Sequence, residues 1–179
     1  VMKSKIILGI SSSIAAYKAC DLARMLTKDG YDVFCVLTQN AIHLVTPLTL
    51  QTLTGNPVYT TSFALEWREM GHIELKDNAQ LLLVAPATAN IIGKFANGIA
   101  DDLLSTTFLS VNCPVVIAPA MNPNMWNHKA VQENITKLKK WGAIIVEPEI
   151  GLVACGDEGQ GRLASIESIY NIAINAIRK

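Results

Sequence analysis

Residues 6–19 read Ile6-Ile-Leu-Gly-Ile-Ser-Ser-Ser-Ile-Ala-Ala-Tyr-Lys-Ala19, an apolar run that passes through a polar turn into a helix-forming segment. A continuous apolar run, unlike an alternating one, is typical of a strand buried on both faces of a parallel sheet. Similar runs recur along the chain, so we predict several such strands. The further runs are Val33–Leu37, Leu81–Val84, Val115–Ile117 and Ile144–Val146.

Helical patterns alternate with these apolar runs. We predict helices at about residues 14–28, 47–54, 88–110, 128–140 and 165–178, the third of them broken near Gly98. Alternating strands and helices predict an α/β fold, a doubly wound parallel sheet of the flavodoxin or Rossmann type. The length of 179 residues suits a single domain, which we place at residues 1–179.

Composition excludes several classes of function. The 15 Lys and Arg residues balance 15 Asp and Glu residues, so no net charge draws the chain to nucleic acid or to an anionic membrane. Residues 103–127 carry no charge, but prolines and asparagines interrupt them too often for a membrane span. Asp101 and Asp102 have no His or Glu at ligand spacing, so we expect no metal site.

The cysteines indicate the compartment. Cys20, Cys35, Cys113 and Cys155 are scattered and form no C-x-x-C pair. We therefore expect reduced thiols in the cytoplasm, without a disulfide framework or a zinc site.

The loops that follow the strands are the candidate site, because ligands of doubly wound sheets bind at the carboxyl ends of the strands. The first loop, Gly9-Ile-Ser-Ser-Ser13, combines serine hydroxyls with the free amides of a helix N-terminus, a combination that suits a phosphate group. A serine that only caps the helix explains the same residues. The loop has neither a G-x-G-x-x-G fingerprint nor a Walker pattern.

Two later loops carry side chains that bind ligands or form turns. In Pro86-Ala-Thr-Ala-Asn90, Thr88 and Asn90 can bind a ligand or cap a helix. In Pro119-Ala-Met-Asn-Pro-Asn-Met-Trp126, the amide of Asn122 can donate to a carboxylate at a pocket rim. The alternative is that Asn and Pro form turns while Met and Trp pack in the core.

A glycine-rich segment closes the series of loops. Residues 151–162, Gly151-Leu-Val-Ala-Cys-Gly-Asp-Glu-Gly-Gln-Gly-Arg162, contain four glycines around Cys155. Glycine allows positive φ angles and close approach to a ligand, so we predict a mobile loop that carries a functional thiol. His72, in Gly71-His-Ile-Glu-Leu75, is either a general base near neutral pH or a structural histidine.

Together these segments resemble the flavin-dependent cysteine decarboxylases, and within them the branch that acts in coenzyme A synthesis. The segments occur in the family's order across almost the whole chain. They are Ser13–Lys18, Gly71–Leu75, Ala85–Asn90, Pro119–Trp126 and Ala154–Arg162. One departure is Ser12-Ser13, because many members have glycine at one or both positions.

This resemblance implies an FMN cofactor and the decarboxylation of phosphopantothenoylcysteine to phosphopantetheine. His72 would be the active-site base, and Cys155 the proton donor on a flexible clamp. Asn122 would bind the substrate carboxylate. The implied substrate-binding residues are Asn122, Met125, Ala154, Gly156 and Arg162, and the implied FMN-binding residues are Gly9, Ser11, Ser12, Ser13, Thr38, Ala87, Thr88, Ala89 and Asn90.

The resemblance also implies partners and rival functions. Members form trimers, or dodecamers built of trimers, with FMN near the subunit contact, and many bacteria fuse the domain to a synthetase. We therefore expect a homo-oligomer, with a separate phosphopantothenoylcysteine synthetase as a further partner. The rivals are a peptidyl-cysteine decarboxylase of lantibiotic maturation, a non-catalytic FMN-binding regulator and, more weakly, a flavin prenyltransferase.

Overall fold

A six-stranded parallel sheet forms the centre of the computed structural model, which describes residues 4–61, 75–152 and 156–178. Its strands are β1 (Lys5–Ile10), β2 (Asp32–Leu37), β3 (Val58–Tyr59), β4 (Ala79–Ala87), β5 (Val115–Pro119) and β6 (Ile144–Ile145). Their order across the sheet is β3-β2-β1-β4-β5-β6. The chain therefore winds outward in both directions from the β1–β4 pair, and the predicted doubly wound parallel sheet is confirmed.

Helices cover both faces of this sheet. The α-helices whose bounds the described residues give are α1 (Lys18–Lys28), α2 (Pro47–Thr54), α3 (Ala89–Ala96), α4 (Leu103–Ser110), α5 (Pro123–Trp126), α6 (Lys129–Lys140) and α7 (Ile166–Ile177). The break predicted near Gly98 separates α3 from α4. Asp102 is the N-cap of α4, because its carboxylate accepts a hydrogen bond from the Ser105 N–H at 2.8 Å.

The two faces of β1 belong to different halves of the core. Ile6, Leu8 and Ile10 pack in the layer that contains α1 and α7, whereas Ile7 packs in the layer that contains Phe95 of α3. These four apolar side chains of β1 are completely buried. Burial on both faces explains why the strand is apolar without alternation.

Gly9 lies on the same face of β1 as Ile7, and its small size is required there by packing. A Cβ atom at this position would lie 2.5 Å from Cδ1 of the buried Leu104 in α4. Glycine therefore allows α4 to approach the sheet at the strand that carries the first loop.

A second, antiparallel sheet corrects the prediction of a mobile glycine-rich loop. Its two strands are β7 (Glu149–Leu152) and β8 (Glu158–Arg162). Backbone hydrogen bonds between these strands give most of the described part of residues 151–162 regular structure. The prediction was wrong there because glycine content reports local freedom, whereas strand pairing depends on a partner strand.

Within the ranges that the structure describes, no helix combines the length and the apolar character that crossing a membrane requires.

We predict that Gly9→Ala destabilises the fold by about 1–3 kcal/mol, because the new methyl group displaces Leu104 in a close-packed core. The midpoint of urea unfolding measures this change. Gly93→Ala in α3 is the control, since the nearest atom to its added Cβ is 3.7 Å away and alanine favours a helix by up to about 1 kcal/mol. A wild-type midpoint for Gly9→Ala would contradict the prediction.

Candidate active site

Ser11 connects the loops that follow β1 and β4. Its hydroxyl donates to the Pro86 carbonyl at 2.8 Å and accepts from the Thr88 N–H at 2.9 Å. Its own N–H donates to the Pro86 carbonyl at 3.2 Å. Ser11 is 1% exposed, so these bonds lie away from solvent. They hold the two loops together where the strand order reverses, which is where doubly wound sheets bind ligands.

Two other predicted cofactor residues cap helices. The Ser13 hydroxyl accepts from the Ala15 N–H at 3.3 Å, at the start of a 3-10 turn over Ile14–Tyr17. The Thr88 hydroxyl accepts from the Ile91 N–H at 3.4 Å, at the start of α3. Their hydroxyl oxygens therefore already satisfy helix N-termini, as the alternative interpretation from the sequence describes.

The remaining residues of these two loops differ in exposure. Ala87 is buried within β4, whereas Ser12 and Asn90 are exposed. Ala89 is half-buried in the first turn of α3. Of the three serines, only Ser12 is exposed, and the structure shows no hydrogen bond from its hydroxyl to another described residue.

Thr38 carries a buried hydroxyl group without a hydrogen-bond partner among the described residues. Its N–H donates to the Ile10 carbonyl at 3.0 Å, so it lies where β1 and β2 end side by side. A buried hydroxyl without a partner costs roughly 1–3 kcal/mol. A polar ligand at this edge of the sheet would remove that cost, so Thr38 fits the cofactor site predicted from the sequence.

Asn122 is the N-cap residue of α5, and both the oxygen and the nitrogen of its side-chain amide form hydrogen bonds. The Oδ1 atom accepts from the N–H of Asn124 at 2.7 Å and from that of Met125 at 3.3 Å. Backbone N–H groups can only donate, so these bonds determine which end of the side-chain amide is the oxygen. The Nδ2 atom donates to Oδ2 of Asp157 at 2.7 Å. Asn122 therefore donates to a carboxylate of the protein itself, and its role toward a substrate carboxylate stays a prediction.

Strand β8 packs directly on the turn that contains Asn122. The Met121 N–H donates to the Gly161 carbonyl at 2.9 Å. Gly161 has a φ of +151°, and a Cβ there would lie 2.3 Å from the Met121 carbonyl oxygen. A Cβ on Gly159 would lie 2.9 Å from Cβ of Pro123. These glycines allow β8 to approach the turn after β5 closely, Gly161 at its backbone and Gly159 at the Pro123 ring, which is a structural role that the sequence interpretation missed.

One further hydrogen bond joins the two halves of the site. The Ala120 N–H, at the end of β5, donates to the Ala87 carbonyl at 3.0 Å. Through Ala87 and Ala120, the loops connected by Ser11 continue into the Asn122 turn. The loops after β1, β2, β4 and β5 thus meet at one edge of the sheet, and β8 packs on the last of them.

The other predicted substrate-binding residues have different settings. Met125 is 46% exposed, whereas its neighbour Trp126 is buried in the core. Gly156 has a φ of +89° and turns the chain into β8. Arg162 is exposed, and its guanidinium group lies beside Gly151. His72, Ala154 and Cys155 lie outside the described residues.

The other cysteines lie elsewhere in the fold and remain protonated thiols. Burial raises the pKa of Cys35, in the middle of β2, to about 12. Burial also raises the pKa of Cys20 and that of Cys113.

Among the described residues, no cluster of three or more His, Cys, Asp or Glu side chains could hold a metal ion.

Comparison with known proteins gives the family. A family model described as Flavoprotein matches residues 1–178. The chain belongs to the flavoprotein family. This flavoprotein is 47% identical, over 169 residues, to the coenzyme A biosynthesis bifunctional protein CoaBC of Bacillus subtilis. The match covers 94% of this chain and 42% of CoaBC, so the flavoprotein spans about two fifths of that relative's length.

Two solved structures resemble the flavoprotein over almost its whole length. A variant of PPC decarboxylase complexed with pantothenoylaminoethenethiol is 28% identical, with a TM-score of 0.87, and the match covers 99% of this chain and 100% of that one. The FMN-dependent cysteine decarboxylase SpaF is 31% identical, with a TM-score of 0.83, and the match covers 98% of both chains.

We predict that Ser11→Ala lowers the free energy of unfolding by about 1–3 kcal/mol, because it removes two buried hydrogen bonds and leaves the Thr88 N–H without its acceptor. The exposed Ser12→Ala is the matched control, with an expected change within about 0.5 kcal/mol. Urea unfolding of the two variants gives both values. Equal stabilities would show that the Ser11 hydroxyl does not hold the loops together.

Proposed function

We propose that this flavoprotein binds FMN at the carboxyl edge of its sheet and decarboxylates phosphopantothenoylcysteine to phosphopantetheine in coenzyme A biosynthesis. The observation that carries the proposal is the side-chain amide of Asn122, on the turn after β5. It donates to the carboxylate of Asp157 at 2.7 Å, which shows that its NH2 group is oriented to bind a carboxylate. The names of CoaBC and of PPC decarboxylase support this substrate. The name of SpaF supports FMN as the cofactor.

The proposed cofactor site consists of the two loops that Ser11 joins and of Thr38, which follows β2. The residues that would hold FMN are Gly9, Ser11, Ser12, Ser13, Thr38, Ala87, Thr88, Ala89 and Asn90. The Ser11 hydroxyl both donates and accepts within the protein, so Ser11 would act by shaping the backbone around the cofactor. The Ser13 and Thr88 hydroxyls accept from backbone N–H groups, and each keeps an O–H that could donate to a phosphate. Together with Thr38 and Ser12 they are the side-chain candidates.

The chemistry explains why such a site needs both a flavin and a carboxylate ligand. Direct loss of CO2 from an amide-linked cysteine leaves a carbanion with no group to accept its electrons. FMN, when bound, supplies reversible two-electron oxidation at the thiol-bearing carbon, which converts the thiol into a thioaldehyde β to the carboxylate. The thioaldehyde accepts the electron pair as CO2 leaves, and the product of that step is an enethiolate.

The protein's own residues bind the substrate and move protons. Asn122 would hold the substrate carboxylate by hydrogen bonding, and the apolar neighbours of the turn would exclude water. His72 would take a proton from the substrate in the oxidative half of the cycle. Cys155 would donate a proton when the enethiolate is reduced to the saturated thiol. The cycle then needs no external reductant.

The assembly and location belong to the same proposal. Ile14 and Tyr17 directly follow the serine loop and are 62% and 60% exposed. Exposed apolar patches are typical of subunit contacts, which supports a homo-oligomer with the cofactor near the contact. The resemblance to the cysteine decarboxylases makes that oligomer a trimer, or a dodecamer built of trimers. We further propose a cytoplasmic location and a partnership with a phosphopantothenoylcysteine synthetase, because CoaBC is a bifunctional protein of coenzyme A biosynthesis.

We predict that the purified protein is yellow and converts phosphopantothenoylcysteine into phosphopantetheine, whereas Cys155→Ser releases an unsaturated product. The serine hydroxyl is far less acidic than a thiol, so decarboxylation continues while the final protonation fails. Mass spectrometry distinguishes the products, because the enethiol is lighter than phosphopantetheine by two hydrogen atoms. Cys113→Ser, at a cysteine away from the site, is the control.

Three outcomes would contradict this proposal. Colourless protein that takes up no added FMN would exclude the cofactor. Turnover of a peptide with a C-terminal cysteine, without turnover of phosphopantothenoylcysteine, would favour a peptidyl-cysteine decarboxylase. Yellow protein that turns over neither substrate would favour the non-catalytic regulator. Fully saturated product from Cys155→Ser at the wild-type rate would exclude the proposed role of the Cys155 thiol and leave the rest of the proposal in place.

We predict that Thr38→Val weakens FMN binding by about tenfold, because valine keeps the shape of threonine but removes one hydrogen bond of roughly 1.4 kcal/mol. The cofactor-free protein should be as stable as wild type or more stable, since no buried hydroxyl remains unsatisfied. Flavin fluorescence titration and urea unfolding measure the two effects. Thr136→Val, on the exposed face of α6, should leave FMN affinity unchanged. An unchanged FMN affinity in Thr38→Val would show that the Thr38 hydroxyl does not bind FMN.

A further inference from the structure

Lys94, in α3, is a charged residue to which the proposed function assigns no role. Its Nζ atom lies 2.6 Å from Oδ2 of Asp102 and 2.6 Å from Oδ1 of Asp101. The side chains of Lys94 and Asp102 are 17% and 23% exposed, whereas that of Asp101 is 61% exposed. Solvent therefore screens the contact with Asp102 less than the contact with Asp101.

Both members of the Lys94–Asp102 pair are charged near neutral pH. Burial by itself raises the pKa of Asp102, but hydrogen bonds from Lys94 and Ser105 outweigh burial and lower that pKa below its usual range. Burial lowers the pKa of Lys94, but its hydrogen bonds to the two carboxylates produce a net rise. The contact is thus a charge-assisted hydrogen bond, which is stronger than one between neutral groups.

Helix α3 connects Lys94 to the first loop of the site. Thr88 is the N-cap residue of α3, and Lys94 lies in the second turn of the same helix. The Thr88 N–H donates to the Ser11 hydroxyl at 2.9 Å. A displacement of α3 would therefore reach Ser11 through this hydrogen bond.

Helix α4 connects Asp102 to the same loop by a second route. The Asp102 carboxylate accepts from the Ser105 N–H at 2.8 Å, and the Asp102 N–H donates to the Ser105 hydroxyl at 3.2 Å. These bonds fix the start of α4, where Leu104 is buried against Gly9, two residues before Ser11. The ion pair therefore closes a ring of contacts that begins and ends at Ser11, which we call the Ser11 ring.

A second contact between α3 and α4 shows what the ion pair adds. The rings of Phe95 and Phe108 stack with their centroids 4.1 Å apart, so apolar packing already holds the two helices together. Replacing an ion pair that is largely removed from water by apolar groups often costs a fold no stability. A hydrogen bond between charges nevertheless requires one distance and one direction. The stack and the ion pair together fix the angle between the helices, about which the stack alone would let them pivot.

We propose that Lys94 and Asp102 are positioning residues, which fix α3 and α4 relative to each other so that residues 9–13 keep the backbone conformation that binds FMN. This inference rests on the proposed function for the identity of the cofactor. Neither residue need touch FMN, because both act through the Ser11 ring. Loss of the pair should lower the fraction of molecules whose loop is ready to bind, and affinity falls in proportion to that fraction.

Hydrogen exchange of the cofactor-free protein tests the Ser11 ring without any ligand. In Lys94→Met/Asp102→Asn the ion pair is absent, while asparagine still caps α4, since Asn and Asp are about equally good N-caps. The hydrogen-bonded amides of Ser11 and Thr88 should exchange about threefold to tenfold faster than in wild type, because their open states become more populated by that factor. Unchanged exchange of both amides would overturn the proposal.

A second ion pair supplies the matched control. Lys139 and Glu147 are also 2.6 Å apart, but their side chains are 48% and 54% exposed and neither belongs to the Ser11 ring. Lys139→Met/Glu147→Gln should leave the exchange of the Ser11 and Thr88 amides and the affinity for FMN at their wild-type values. Asp101→Asn, which keeps the Lys94–Asp102 pair, should do the same.

Flavin fluorescence titration and urea unfolding together distinguish positioning from stability. For Lys94→Met/Asp102→Asn we expect the Kd for FMN to rise by about threefold to tenfold. The urea midpoint of the cofactor-free variant should stay close to that of wild type, because an ion pair removed from water adds little stability. A pair that only stabilises the fold would weaken FMN binding solely through loss of folded protein.

The outcomes separate this inference from the proposed function. An unchanged Kd in Lys94→Met/Asp102→Asn would overturn the positioning role, while a wild-type protein that binds FMN and turns over its substrate leaves the proposed function intact. A rise in Kd that only follows a loss of folded protein, or that Lys139→Met/Glu147→Gln reproduces, would also overturn it. Wild-type protein that binds no FMN would overturn the proposed function and with it the role toward FMN, whereas hydrogen exchange would still show whether the pair holds the loop.

Discussion

The hydroxyl group of Ser11 occupies the position on which the site's geometry depends. A doubly wound sheet has one place where neighbouring strands send their connections to opposite faces, and here that place lies between β1 and β4. The loops diverge there, so their separation depends on what bridges them. Ser11 bridges them by donating to the Pro86 carbonyl and accepting from the Thr88 N–H. Ser11 is buried, so these two bonds are shielded from water.

The remaining parts of the site extend from this bridge through hydrogen bonds. The end of β4 is connected to the end of β5 through Ala87 and Ala120, and the next residue, Met121, donates to Gly161 of β8. Asn122 then contacts Asp157. This succession places the proposed cofactor loops and the proposed carboxylate ligand on one continuous framework. Flavin and substrate chemistry require such proximity, because electron transfer and CO2 loss occur at neighbouring carbons of one substrate.

The prediction from the sequence succeeded for the parallel sheet and failed for the glycine-rich residues 151–162, for related reasons. The strands were predictable because burial on both faces requires an apolar residue at every position, as in Ile6–Leu8. Residues 151–162 misled because glycine is ambiguous. Glycine marks local freedom, but at Gly159 and Gly161 it allows contact with Pro123 and Met121, residues far away in the sequence. The serine loop was ambiguous for the same reason, since a capping serine and a ligand-binding serine have the same local sequence.

The sequence by itself determined the order of five of the six strands of the parallel sheet and of the helices between them, though not β3, β7 or β8. It also determined the edge of the sheet at which to look for a site and the residue types available there. Those properties follow from hydrophobic periodicity and from turn residues, which act over a few positions of the chain. Only the tertiary structure decided how the hydroxyl groups are used: Ser11 as a bridge, Ser13 and Thr88 as caps, and Thr38 with a buried hydroxyl that lacks a described partner. It alone brought Asp157 to Asn122. The physical reason is that a hydrogen bond depends on distance and direction in space, and separation along the chain determines neither.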